Sequence, residues 1–313
     1  MEMNRRNWLK NLGTIAAFSA LPSAELFAGQ FNPVSRNRTM RIAHITDVHL
    51  HDKDGAPQLF EKCLHHIQQL NPAPDLIING GDAINDALFH TRTSVQKQWK
   101  TWHSLIQNEC CLPIEHCIGN HDVWGMTLKK SDPLYGKGFA MEMMGLDTTY
   151  KSFDLNGWHF IFLDSTHEKN NGIWYTAKLG DEQMSWLEED LKNTPASTPI
   201  MVVSHIPILS ASVFLDDYKI RSGKFNIPAT WMHTDIKEIM QLFSRHQNIK
   251  LCLSGHIHLF DHVEYNNISF FCNGAVSGDW WRNMTYHETK AGYAIVDLFD
   301  DGSFINQYTT YLE

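Results

Sequence analysis

Eight side chains of metal-ligand type recur along the chain, each just after a short apolar run: Asp47, His49, Asp82, Asn120, His121, His205, His256 and His258. Asp47-Val48-His49 lets a carboxylate and an imidazole reach one cation from a single turn. Gly80-Gly81-Asp82 allows close backbone approach, and one carboxylate with two oxygens can bridge two cations. Gly255-His256-Ile257-His258 projects two imidazoles separated by one residue. These nitrogen and oxygen donors suit Mn, Fe or Zn, and no thiolate is placed to select a softer ion. Each fragment alone occurs by chance in many chains. The whole set in one order, always where an apolar run ends, argues for a metal centre.

The elements that position these groups follow from periodicity. Apolar runs at 40–45, 75–79, 113–118, 158–163, 199–203 and 250–253 predict strands, and they end at Asp47, Asp82, Asn120, Asp164, His205 and His256 respectively. Leu59, Phe60, Cys63, Leu64, Ile67 and Leu70 are spaced for one helical face, which predicts a helix over 57–70. Further helices are predicted over 93–107 and 180–191, the latter opened by Asp181 and Glu182 where the helix dipole favours acids. Strands without intervening helices follow at 261–265, 268–273, 292–298 and 303–308. Ligand groups at the strand ends of an open α/β sheet lie where such sheets bind ligands. The predicted fold is a mixed α/β domain over 38–313, with two sheets sandwiched between helices.

Asp47-Val48-His49, Gly81-Asp82, Gly119-Asn120-His121-Asp122, His205 and Gly255-His256-Ile257-His258 together resemble the signature of the calcineurin-like metallophosphoesterases. The resemblance spans about residues 40–260 and implies a four-layer αββα sandwich around two metal ions. It assigns Asp47, His49 and His258 to the first ion, Asn120, His205 and His256 to the second, and Asp82 to both. His121 matches the family's catalytic histidine. Purple acid phosphatases place a tyrosine three residues beyond the bridging aspartate, where this chain has Asn85, which disfavours a tyrosinate-ligated ferric site.

The expected chemistry is attack on phosphorus by a hydroxide held between two cations, since two such ions clamp the attacking and leaving oxygens and acidify bound water. No Ser or Cys stands in a nucleophile motif. His121 is the expected proton donor, with Asp122 beside it as a catalytic partner or a solvated turn residue. The strand-end layout is similar to that of cyclic-nucleotide phosphodiesterases and compatible with phosphomonoesterases and pyrophosphohydrolases. A catalytically silent surface binding protein of the same fold is the non-enzymatic alternative. Candidate substrate residues are His51 and the run Trp280-Trp281-Arg282, whose aromatics could stack a base and whose guanidinium could grip a phosphate. Trp124, Tyr175 and His167, in the long segments after strand ends, are further candidates to face the substrate.

The 313 residues, 43% hydrophobic and 19% charged, suit a globular domain with a sizeable core. A net charge of −9 without a basic block disfavours a nucleic acid polymer as partner, because phosphate neutralisation drives such binding. A small phosphorylated molecule is the expected partner. Asn4-Arg5-Arg6-Asn7-Trp8-Leu9, followed by an apolar stretch and small residues, resembles a twin-arginine export signal over 1–30. Export, with a periplasmic destination, is therefore expected. The apolar stretch is shorter than the roughly 20 residues of a membrane span, so no stable anchor is expected. None of the six cysteines has zinc-finger spacing; Cys117, Cys252 and Cys272 fall in apolar strands and read as small buried hydrophobes.

Overall fold

The computed structural model describes residues 36–125, 130–169, 174–215 and 219–312; the expected export signal lies outside them. Two mixed sheets form the framework. The first joins β1 (Arg38–Ile45), β2 (Leu76–Asn79), β3 (Ile114–His116), β10 (Gly292–Phe299) and β11 (Phe304–Thr310) in the order β11-β10-β1-β2-β3. The second joins β4 (Lys151–Leu155), β5 (Trp158–Leu163), β6 (Ile200–Ser204), β7 (Ile249–Ser254), β8 (Asp261–Tyr265) and β9 (Ile268–Cys272) in the order β8-β9-β7-β6-β5-β4. The central strands β1-β2-β3 and β9-β7-β6-β5 run parallel, and the flanking strands antiparallel. Residues 268–272 thus close a parallel pair with β7, although they follow a hairpin.

Strand alternation builds the layers. Ile42, Ile78, Phe160, Phe162, Val203 and Leu253 point inward and meet between the sheets. Their neighbours face outward: Ile45 and Ile77 under one helical layer, Ile161, Val202 and Cys252 under the other. Strands buried on both faces read as continuous apolar runs because no position is left to water. Each such buried side chain contributes about 1.5–3 kcal/mol.

α1 (Ala56–Gln68) and α2 (Arg92–Glu109) cover the first sheet, with Phe60, Cys63, Leu64 and Ile67 of α1 and Trp99 and Trp102 of α2 in the core. Thr91 caps α2 by accepting from Ser94 N. α3 (Gly138–Met144) packs on the same cluster. α4 (Asp181–Asn193) and α5 (Ile236–Phe243) cover the second sheet through Leu187, Leu191, Ile239, Leu242 and Phe243. The result is the αββα sandwich. The sequence reading omits α3, α5 and β4. All six cysteines are free, and Cys63, Cys117, Cys252 and Cys272 are buried. Among the described residues no helix is long and apolar enough to cross a membrane.

Candidate metal centre and active site

The parallel strands of both sheets deliver their C-terminal turns to one place. Asp47 N and His49 N donate to the carbonyls of Gly81 and Asp82, stitching the β1 turn to the β2 turn. Gly255 N donates to the His205 carbonyl, joining the β7 and β6 turns. Asp47, His49, Asp82, His256 and His258 all have positive φ, between 46° and 72°. That left-handed geometry costs about 1–3 kcal/mol per non-glycine residue and is found at functional sites. Gly81, at φ +107°, has no such penalty, and a Cβ there would lie 2.6 Å from His205 Nδ1.

Two donor groups result. Asp47, His49 and His258 form one, with Asp47 Oδ1 3.7 Å from His49 Nε2 and 3.4 Å from His258 Nε2. Asp82, His205 and His256 form the other. Asn120 Oδ1 lies 3.2 Å from His205 Nε2 and adds an amide oxygen to that group. Asp82 Oδ2 faces both groups, 3.1 Å from His205 Nε2 and 3.8 Å from His49 Nε2. The structure therefore brings together all seven residues that the motifs nominate as ligands.

The donors fit cations. Asp47 Oδ1 and His256 Nε2 are buried without a hydrogen bond among the described residues, an arrangement that is costly unless an ion satisfies them. His49 Nε2 and His258 Nε2 face each other at 3.0 Å. His258 Nδ1 donates to the Gly278 carbonyl and His205 Nδ1 to the Gly80 carbonyl, both at 2.9 Å. Each bond fixes a tautomer whose Nε2 lone pair is free to ligate. Burial lowers His49 to about 4 and His256 to about 3, keeping both neutral as ligands must be. Burial opposes charge on His205 as well, but Asp82 outweighs it and raises His205 to about 9, so a cation would bind there in exchange for the Nε2 proton. Burial would raise Asp82; His205, His121 and His49 override it and hold the carboxylate ionised.

His121 lies at the edge of this centre, its ring 4.9 Å from that of His49. Its Nδ1 is 3.3 Å from Asp86 Oδ1, which leaves Nε2 for a substrate. Burial disfavours its charged form, but Asp82 and Asp86 raise its pKa overall. The expected pairing of His121 with Asp122 is corrected here. Asp122 turns its carboxylate to the backbone, accepting from Asp82 N at 2.9 Å, Ala83 N at 3.0 Å and Gly119 N at 2.9 Å. It positions the two ligand turns and does not orient the histidine. Burial first, and then Asp82, raises it to about 7. Asp86, which sequence reasoning missed, holds His121.

A cavity of about 180 Å³ opens over the donors, with Tyr175, Trp231, Trp280 and Tyr286 as its organic walls. Of the substrate candidates, Trp280 and Tyr175 reach it. The Trp280 ring stacks on His49 at 3.7 Å and 27° and meets His121 edge-on at 4.7 Å. Trp281 is buried in the core and donates Nε1 to the His49 carbonyl. Arg282 pairs with Asp279 at 2.8 Å on a side chain 73% exposed, outside the cavity lining. Neither residue grips substrate, because the turn after Gly278 directs one inward and the other to solvent. His51 accepts from Lys53 N in its own turn and does not line the cavity either. Tyr175 lines the cavity, whereas Trp124 is buried under α3 and His167 is exposed.

A fold of two mixed sheets with such a centre defines the calcineurin-like phosphoesterases. The family model described as Calcineurin-like phosphoesterase matches residues 40–260, and the chain belongs to that family. It is 22% identical over 276 residues to a 3',5'-cyclic-nucleotide phosphodiesterase of Nostoc, covering 84% of this chain and 89% of the relative. It is 24% identical over 297 residues to the 3',5'-cyclic adenosine monophosphate phosphodiesterase CpdA of Vibrio vulnificus, covering 87% and 94%. A dimetal phosphatase from Danio rerio superposes with a TM-score of 0.64 at 13% identity, covering 88% and 98%, a likeness of fold. The chain is a metal-dependent phosphoester hydrolase.

Proposed function

We propose that this enzyme uses a pair of Mn, Fe or Zn ions to hydrolyse a small phosphodiester bearing an aromatic group, with cyclic nucleotides as the leading class. One observation carries the choice of diester. The described residues lining the cavity include four aromatics and no Lys or Arg. Among the described residues a monoester dianion would find only His121, and no Lys or Arg, beside the metals, whereas a diester carries a single charge and a second organic substituent for the aromatic walls. The names of the Nostoc and Vibrio relatives support the same class.

Bound cations would supply Lewis acidity and acidify a water. Asp47, His49 and His258 would hold one and Asn120, His205 and His256 the other, with Asp82 facing both. His121, held at Nδ1 by Asp86, presents Nε2 to the leaving alkoxide and gives it a proton, while Trp280 limits solvent on the His49 side. A silent binding protein is disfavoured because every donor and His121 are in place. The resemblance of residues 1–30 to a twin-arginine export signal adds the proposal that the enzyme works outside the cytoplasm.

The test is purified protein stripped of metal, reloaded with Mn, Fe or Zn in turn, and assayed on a cyclic nucleotide, an aryl diester, a nucleoside monophosphate and a pyrophosphate. The diesters should turn over fastest. Preference for the monophosphate would overturn the diester reading.

A further inference from the structure

Outside the catalytic centre, α1 carries a polar stripe at positions i, i+4 and i+7: Glu61, His65 and Gln68. The opposite face, with Phe60, Cys63, Leu64 and Ile67, is buried, so the stripe faces outward, and the end of α2 meets it. Gln68 Nε2 donates to the Glu109 carbonyl at 2.7 Å, and Gln68 Oε1 accepts from Cys111 N at 2.9 Å. This clamp fixes the last residue of α2 against α1, and Glu109 Oε2 comes to 2.9 Å from His65 Nε2. Glu61, His65 and Glu109 each offer one ligand atom, and those atoms lie within 4.8 Å of one another. None of the three lines the catalytic cavity.

We infer that Glu61, His65 and Glu109 form a separate binding site for a single borderline divalent cation, with Zn²⁺ the best match. Donors around a tetrahedral zinc at about 2.0–2.1 Å stand about 3.4 Å apart, so small rotamer shifts bring this set to coordination distance. Two carboxylate oxygens and one imidazole suit zinc better than calcium or magnesium, which take oxygen alone. Water completes the shell, as three-ligand zinc sites permit.

Charge points the same way. Glu109 ends α2, where unsatisfied carbonyls already concentrate negative potential, and no basic residue occupies that last turn. With Glu61 beside it, the site holds two carboxylates at the negative end of a dipole, and His65 is their partner from α1. A cation relieves that repulsion and ties the two helices together. A shallow surface cavity next to the site is lined by His65, Gln68, Glu109, Cys110 and Cys111, which gives an ion access from solvent.

The test compares zinc content of the full-length protein after equilibration with Zn²⁺ and dialysis, measured by elemental mass spectrometry. His65→Ala and Glu109→Gln should each hold about one equivalent less than wild type while hydrolysing an aryl diester at the wild-type rate. Equal zinc content in wild type and both variants would overturn the site. A Cys110→Ser/Cys111→Ser double variant should keep the additional equivalent. Its loss there, with wild-type content in His65→Ala, would place the ion on the thiols and overturn the assignment.

Discussion

His121 Nδ1 lies 3.3 Å from Asp86 Oδ1, while the other Asp86 oxygen lies 2.7 Å from His90 Nδ1. Asp86 also accepts from Leu88 N and Phe89 N, so its own position is fixed. It positions His121, the proposed proton donor. His121→Ala should lower kcat by about 10²–10⁴-fold. Asp86→Asn keeps the shape but weakens the hold on Nδ1, and should cost about 10-fold, at or below the low end of that range. Metal content should stay at the wild-type level in both variants. Unaltered kcat in Asp86→Asn would free His121 of this dependence.

Trp280 touches candidate metal ligands rather than solvent alone. Its ring covers His49 at 3.7 Å and lies 5.4 Å from His258. Outer partners of metal ligands are commonly worth 10–100-fold in affinity. Trp280→Ala should weaken metal retention against a competing chelator by about 10-fold, and Trp280→Phe should lose less. Wild-type retention in the alanine variant would show that the stack does not hold His49.

Gly255 is demanded by space. A Cβ there would lie 2.0 Å from Thr46 Oγ1 and 2.2 Å from Asp47 Oδ2. Asp47 Oδ2 accepts from Thr46 Oγ1 and His256 N, so Gly255→Ala pushes on a ligand and its supports together. The variant should lose about 1–3 kcal/mol of stability, as overpacking does, and lose bound metal. Unfolding curves and metal analysis check both, and a variant with wild-type Tm and metal content contradicts the prediction.

Away from the centre, His159 is held between Asp154 Oδ1 at 2.7 Å and Asp190 Oδ2 at 2.9 Å. Burial opposes its charge, but the two carboxylates raise its pKa above the ordinary value. A raised histidine stabilises the fold fully below its unfolded pKa, about 6.5, and the contribution is lost as pH rises through the folded value. His159→Gln should therefore be more destabilising at about pH 5.5 than at about pH 8.5. Urea unfolding at both values tests it; a larger loss at the higher pH would reverse the sign.

The clustering of the candidate donors was legible because parallel strands buried on both faces write themselves as apolar runs, and the groups following them are the ones the turns present. Asp47, Asp82, His205 and His256 needed no more than that. α5 escaped because its eight residues are barely two turns, and β4 because its edge position leaves Asp154 and Leu155 exposed. Tyr175 was marked by its place after a strand end, but Trp231 and Tyr286 come from distant segments with no shared periodicity, so only folding brings the three into one wall. Trp281 and Arg282 show the limit of residue type: composition names an aromatic or a cation but not the direction in which a turn will send it. Asp122 was misread for a related reason, since adjacency in sequence placed it beside His121 while the short helical turn at Asn120–Asp122 rotates it away.

Five donors sit at the tips of left-handed turns that backbone bonds tie together within each sheet and that Asp47 Oδ2, accepting from His256 N, ties between the sheets. Such a frame does not depend on its cargo for shape. An ion leaving it vacates a rigid socket, and a different ion of similar size finds the same socket waiting. Which metal fills this enzyme is then decided by supply and by the order of arrival as much as by the protein.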